Sequence, residues 1–216
     1  MAENKDMTSN TLRQPEQSIQ LSGISWQTYQ SLLRELSDRR LRLTYNRGFL
    51  EIMALSPEHE IYKKLLGRFV EIIAEELKIS IYPLGSTTFN RPDLSSGLEP
   101  DECFYIQHQA AVKGKRKIDL SHDPPPDLAI EIDMNCSAKN RLEAFANIGV
   151  PEIWRFDGLS LIIYRLQNKE YIPSKQSLIF GTLPIDKIDY FLLEAGVVDY
   201  IELIHSFRRW LKNQMR

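Results

Sequence analysis

The chain has 216 residues, 43% of them hydrophobic and 26% charged, with a formal net charge of −2. That mix suits a single globular domain with a sizeable core and argues against a broadly electropositive nucleic-acid coat. Two cysteines without metal-ligand spacing argue against a disulfide framework or structural zinc. The lack of a long apolar run or a secretory leader sets the expectation at a cytoplasmic, non-membrane protein.

Residues 1–20 are polar and aperiodic and are expected to form a flexible tail, with one domain over 21–216. From Ser25, the residues Trp26, Tyr29, Leu32, Leu33 and Leu36 recur at helical spacing, predicting a helix that ends near Asp38. Two β-prone runs, Leu41–Tyr45 and Phe49–Met53, flank Asn46-Arg47-Gly48 and read as a hairpin. Ser56-Pro57 starts a helix: serine suits the N-cap and proline the first helical position. Ile61, Leu65, Phe69, Ile72 and Leu77 form its expected buried stripe. On its wheel Glu58 falls in register with Tyr62 and Leu65, whereas His59 falls with Leu66 and Val70. Glu58 is therefore the better candidate acid for a central site, with His59 beside it; the plain alternative is that Glu58 only favours the helix N-terminus and that His59 caps or packs.

A strand is expected over 79–82, a loop over 86–98, and a second strand over 99–106 that carries Asp101, Cys103 and Tyr105 on one face. A basic polar connection, with Lys113, Lys115, Arg116 and Lys117, leads to Pro124-Pro125-Pro126. The stretch Asp127-Leu128-Ala129-Ile130-Glu131-Ile132-Asp133 then reads as a central strand, with Asp127, Glu131 and Asp133 opposite its apolar face. A helix over 137–148 closes at Gly149, with Arg141 inside its buried stripe and Lys139 at the stripe's edge. Strands are expected at 152–156, 161–165 and 177–180, the first two joined at Asp157-Gly158, and a final amphipathic helix at 198–211. The pattern predicts a mixed sheet flanked by helices, α/β or α+β.

Charged groups on a central strand are costly unless paired or bound to metal. Asp127 is about 13 Å from Glu131 along the strand, too far to share an ion. Asp101 and Glu131 can meet if their strands pair, about 5 Å apart, and Asp133 lies about 6.6 Å further along the same face. Hard oxygen ligands without cysteine favour Mg2+ or Mn2+. The equally weighted alternative is an ordinary ionic cluster in which Arg141 or Lys139 pairs with Glu131 and Asp133.

Three segments in order, Glu99-Pro100-Asp101-Glu102-Cys103-Phe104-Tyr105-Ile106, Pro125–Asp133 and Gly149-Val150-Pro151-Glu152-Ile153-Trp154-Arg155, resemble the bacterial Uma-two family. That family is expanded in cyanobacteria and is classed with the restriction endonucleases of the PD-(D/E)XK superfamily. The likeness extends upstream through Leu43–Met53 and Ser56–Glu60, and spans about residues 25 to 195. It implies a restriction-endonuclease-like fold with a central mixed sheet between helices, a DNA substrate, and dimerisation where both strands are cut. Residue by residue, it implies that Asp101 is the first metal-binding aspartate, Glu131 the acid of the second strand, and Glu58 with His59 the helix pair. The superfamily's lysine two residues beyond the second acid is Asp133 here, and the substitute on the next helix reads as Arg141, with Lys139 nearby. Arginine stabilises developing charge but cannot act as a base. The resemblance thus implies a Mg2+- or Mn2+-dependent endonuclease. Its alternatives are a catalytically inactive nuclease-fold module binding DNA or a protein partner and, more weakly, an acid/base pair such as that of a glycoside hydrolase.

Overall fold

The first strand of the chain is held almost entirely by its backbone. In the computed structural model, which describes residues 16–134 and 138–215 apart from the side chains of Ala138, Lys139 and Asp186, β1 (Gln17–Leu21) pairs antiparallel with β3 and leaves all five side chains exposed. Residues 16–20 are therefore not a tail. Ser25 Oγ then accepts from the Thr28 N–H (3.1 Å) and opens α1 (Trp26–Glu35). The hairpin of β2 (Leu41–Asn46) and β3 (Phe49–Ala54) turns at Arg47 and Gly48. Both residues have positive φ (48° and 91°), the conformation that tight hairpin turns require. Ser56 Oγ accepts from the His59 N–H (3.0 Å) to cap α2 (Pro57–Leu77). Leu65, Phe69 and Ile72 of its expected stripe are buried, while Ile61 faces solvent.

The segment expected as a loop over 86–98 folds instead into β5 (Phe89–Arg91), a 3-10 turn and β6 (Ser96–Leu98), after a very short β4 (Tyr82–Pro83). Gly97 explains part of this. A Cβ there would lie 2.5 Å from both the Tyr29 hydroxyl and Asn90 Oδ1, so only glycine lets β6 pass beneath α1. Next come β7 (Glu102–Tyr105), the short α3 (Gln109–Val112), β8 (Leu128–Ile132), α4 (Ala138–Ile148), β9 (Glu152–Phe156), β10 (Leu161–Gln167) and β11 (Glu170–Ser174). The strand expected at 177–180 is replaced by β11 and a lone bridge from Ser177 to Gly181. The chain ends in α5 (Ile188–Leu193) and α6 (Tyr200–Gln214).

Two sheets result rather than one. The first has the order β1-β3-β2-β6-β5; the second has the order β11-β10-β9-β8-β7-β4 and is mixed, with β8 and β9 parallel. β8 lies inside the second sheet and all five of its residues are buried. Leu128, Ile130 and Ile132 point into a core shared with α2, α5 and α6, where the rings of Phe69 and Phe207 stack at 4.0 Å. Each such side chain contributes about 1.5–3 kcal/mol on burial. Ala129 points the other way, with Cys103 and Tyr105, into a core shared with Phe145 and Ile148 of α4. α4 also packs against β2 and β6 of the first sheet. The acidic face of β8 is thereby covered by protein rather than by water.

Candidate functional site

β7 and β8 pair antiparallel with Glu102 opposite Ile130 and Cys103 opposite Ala129. Continuing that register by one residue sets Asp101 opposite Glu131, the juxtaposition that strand alternation requires. Both carboxylates are buried, at 1% and 3% exposure. Such groups need partners, and the partners come from elsewhere in the chain.

Arg42, on β2 of the first sheet, pairs with Asp101 and places its second guanidinium nitrogen 3.9 Å from Glu131 Oε2. Arg141, on α4, lies against the same Glu131 oxygen through Nε (2.7 Å) and a terminal nitrogen (2.6 Å), and it also donates to the Thr44 hydroxyl and the Glu99 carbonyl. Asp101 Oδ2 accepts the Ile132 N–H at 2.7 Å. His59 reaches Asp101 Oδ1 through Nε2 (2.7 Å), and its Nδ1 lies 2.7 Å from Glu16 Oε1. Glu131 Oε1 is buried and, among the described residues, makes no hydrogen bond.

The electrostatics divide the two acids. For Asp101, burial works against ionisation, but Arg42 and His59 outweigh it and hold the carboxyl well below the usual range. For Glu131, burial dominates over Arg141 and Arg42, and the neighbouring Asp101 adds to it, so the carboxyl is pushed up to about 7. His59 loses affinity for a proton through burial and regains more from hydrogen bonds to Asp101 and Glu16, rising to about 9. The raised affinity makes it an imidazolium at neutral pH, donating through Nε2 to Asp101 with Nδ1 in ion-pair range of Glu16. Burial likewise opposes the charge on Arg42, but Asp101 and Glu131 raise its pKa further.

The expected residues fall as follows. Asp101, Glu131, Arg141 and His59 come together. Glu58 accepts the Tyr62 hydroxyl (3.4 Å), and the helix residue whose ring lies against Asp101 is His59. Asp133 is held by Arg155 of β9 through Nε (3.1 Å) and a terminal nitrogen (2.9 Å). Among the described residues no group of three or more Asp, Glu, His or Cys side chains is arranged to hold an ion. The side chain of Lys139 lies outside the described residues. Two members, Glu16 and Thr44, carry no signal in the sequence, and Arg42 reads there only as one of a basic cluster of surface charges, whereas it is buried on Asp101. Arg42 and Thr44 alternate with Leu43 and Tyr45, a pattern that ordinarily marks a solvated strand face.

Asp101 and Glu131 suit a divalent ion in type and number. Mg2+ takes one or two carboxylates alongside substrate oxygens, and Glu131 Oε1 is without a hydrogen bond among the described residues. Against this, three acids (Glu16, Asp101, Glu131) already face three cations (Arg42, Arg141 and the imidazolium of His59).

An α+β protein with a buried pair of opposed strand carboxylates set between two arginines and a histidine is the class that this fold and site define. The model of the Uma2 family, described as "putative restriction endonuclease", matches residues 26–184, and the chain belongs to that family. Among solved structures, one described as a "putative nuclease belonging to DUF820", from Anabaena variabilis ATCC 29413, is similar at a TM-score of 0.45 and 14% identity. That match covers 77% of this chain and 90% of the other. No curated protein matches the chain.

Proposed function

We propose that the chain is an endonuclease that hydrolyses DNA phosphodiester bonds at Asp101 and Glu131. The observation that carries this reading is the direct opposition of these two acids on paired strands, with their proton affinities driven apart. Asp101 and Glu131 would hold Mg2+ or Mn2+, which when bound supplies polarisation of a phosphoryl oxygen and acidification of water. In the metal-free site burial raises the proton affinity of Glu131, and its Oε1 makes no hydrogen bond among the described residues. Arg141, against Glu131 Oε2, would stabilise the negative charge that develops on the phosphoryl oxygens. His59 is a positioning residue: protonated on both nitrogens, it fixes Asp101 as an acceptor and is no base.

A second reading rests on Arg42. Its guanidinium stands between the two carboxylates and balances them, which supports a catalytically silent nuclease fold that binds DNA or a protein partner. Supercoiled plasmid incubated with wild type and Glu131→Gln, under Mg2+, Mn2+ or EDTA, separates the two. The nuclease reading expects metal-dependent nicking by wild type, reduced at least about 100-fold in the variant. Intact plasmid under both metals would refute it and leave the silent module.

A further inference from the structure

Between the two sheets, on the flank of the carboxylate pair, lies a groove of about 480 Å3 that the catalytic reading does not use. One wall is Trp26 and Gln30 of α1 with Thr88 and Asn90 around β5; the other is the loop Lys115-Arg116-Lys117. The loop's shape is pinned by the pairing of Lys115 with Asp123 and by the N–H of Asp119 donating to Asp123 (2.9 Å). Lys115 is thus committed. Arg116 and Lys117 are exposed and, among the described residues, form no ion pair. Across the groove, Gln30 is partly buried and its Nε2 makes no hydrogen bond among the described residues. Trp26 is half-buried, and part of its ring is used against Tyr29 and Tyr45. The one acid among the lining residues, Asp119, is turned to Ser121.

We infer that this groove binds an unpaired DNA strand. Two uncommitted cations on one wall supply phosphate contacts. An aromatic edge and an amide on the other supply a surface for a base, whose polar edge is accessible only when unpaired. The volume admits a base or two and excludes a duplex. The groove is joined to the carboxylate pair through Glu99: Thr88 Oγ1 donates to Glu99 Oε2 (3.3 Å), and the Glu99 carbonyl, two residues before Asp101, accepts from Arg141. The inference shares its substrate class with the nuclease reading, but its test does not require cleavage.

The test is fluorescence anisotropy in EDTA, with a labelled oligo-dT of about a dozen nucleotides and the same strand annealed to oligo-dA. Wild type should bind the single strand at least about tenfold more tightly than the duplex. Arg116→Gln with Lys117→Gln should weaken single-strand binding about tenfold and reduce the slope of log K against log salt by about 1.4, at about 0.7 per phosphate contact. Gln30→Leu should weaken binding severalfold with the slope unchanged. Equal binding of duplex, or a double variant that binds like wild type, would overturn the inference, as would no binding by wild type. Groove-dependent binding without plasmid nicking would sink the nuclease reading alone. Nicking with no dependence on the groove would sink this inference alone.

Discussion

Arg42 is the residue on which the site's electrostatics turn, and its removal has a calculable consequence. It is buried at 3% exposure, pairs with Asp101 and approaches Glu131. Replacing it with methionine keeps most of the volume and deletes the charge, leaving Asp101 ionised in a buried site with only His59 and the Ile132 N–H. Breaking one side of a buried ion pair costs about 3–5 kcal/mol. At about 2–4 °C per kcal/mol for a chain of this size, the thermal midpoint should fall by about 6–20 °C. Asp101→Asn should cost a similar amount, because it strands the guanidinium instead. The double variant should be less destabilised than the sum of the two by about 1–3 kcal/mol, since neither orphan remains.

Urea unfolding of the four proteins in EDTA at pH 6 measures this cycle. An Arg42→Met variant within about 1 kcal/mol of wild type, or effects that add to within about 0.5 kcal/mol, would refute the assignment of Arg42 as the cation joining the two acids. Repeating the cycle with Mn2+ extends it. If arginine and a divalent ion compete for the pair, the metal should stabilise Arg42→Met more than wild type, in proportion to RT ln(1 + [M]/Kd).

Two further outcomes are expected. Stability of the metal-free protein should fall as pH rises from about 5 to 9. His59 is raised from 6.5 to about 9 in the fold, so its contribution, about 3 kcal/mol, is fully present below pH 6.5 and is lost as pH rises through 9. Glu131, raised from 4.5 to about 7, keeps a proton that the unfolded chain releases, and so lowers stability in the same direction between those values. Asp101, lowered from 3.8, acts oppositely and only at the acid end. Urea midpoints across this range check the slope, which His59→Gln should flatten; an unchanged slope in that variant would refute the account of His59. Separately, Gly97→Ala should destabilise by about 1–3 kcal/mol, because its Cβ would meet the Tyr29 hydroxyl and Asn90 at 2.5 Å; calorimetry reads this directly.

The parts of the site that were legible in the sequence are those set by local periodicity. Alternation along β7 and β8 places Asp101 and Glu131 on one face, and helical spacing turns Arg141 inward from α4; both features appear in the fold. The N-cap at Ser56 positions the start of α2 correctly, but the wheel favours Glu58 because it scores the apolar stripe alone. The residue turned to the site is His59, on the neighbouring stripe, which is equally buried. Arg42 and Thr44 were illegible for a different reason. Their strand alternates polar and apolar as if one face met water, yet that face meets Asp101, just before β7, and Arg141 of α4. The short strands β5 and β6 lack a hydrophobic run long enough to announce themselves. β11 carries Pro173, which marks an edge strand rather than an interior one.

Glu16 shows why the rest could not have been read. The strand it precedes buries none of its side chains, so no pattern of apolar residues marks it. It is placed by backbone pairing with β3, and the consequence of that pairing is one buried carboxylate 2.7 Å from His59. The charge balance of the site therefore draws on β1, β2, α2, the start of β7, β8 and α4, with members up to 125 residues apart in the chain (Glu16 to Arg141). Those elements belong to both sheets, so the contacts that neutralise the acids are also contacts that hold the two sheets together. Stability and site chemistry are consequently one quantity in this protein. Any ion or phosphate that engages Asp101 and Glu131 must do so against Arg42 and Arg141, and the energy of that exchange will register in the unfolding midpoint.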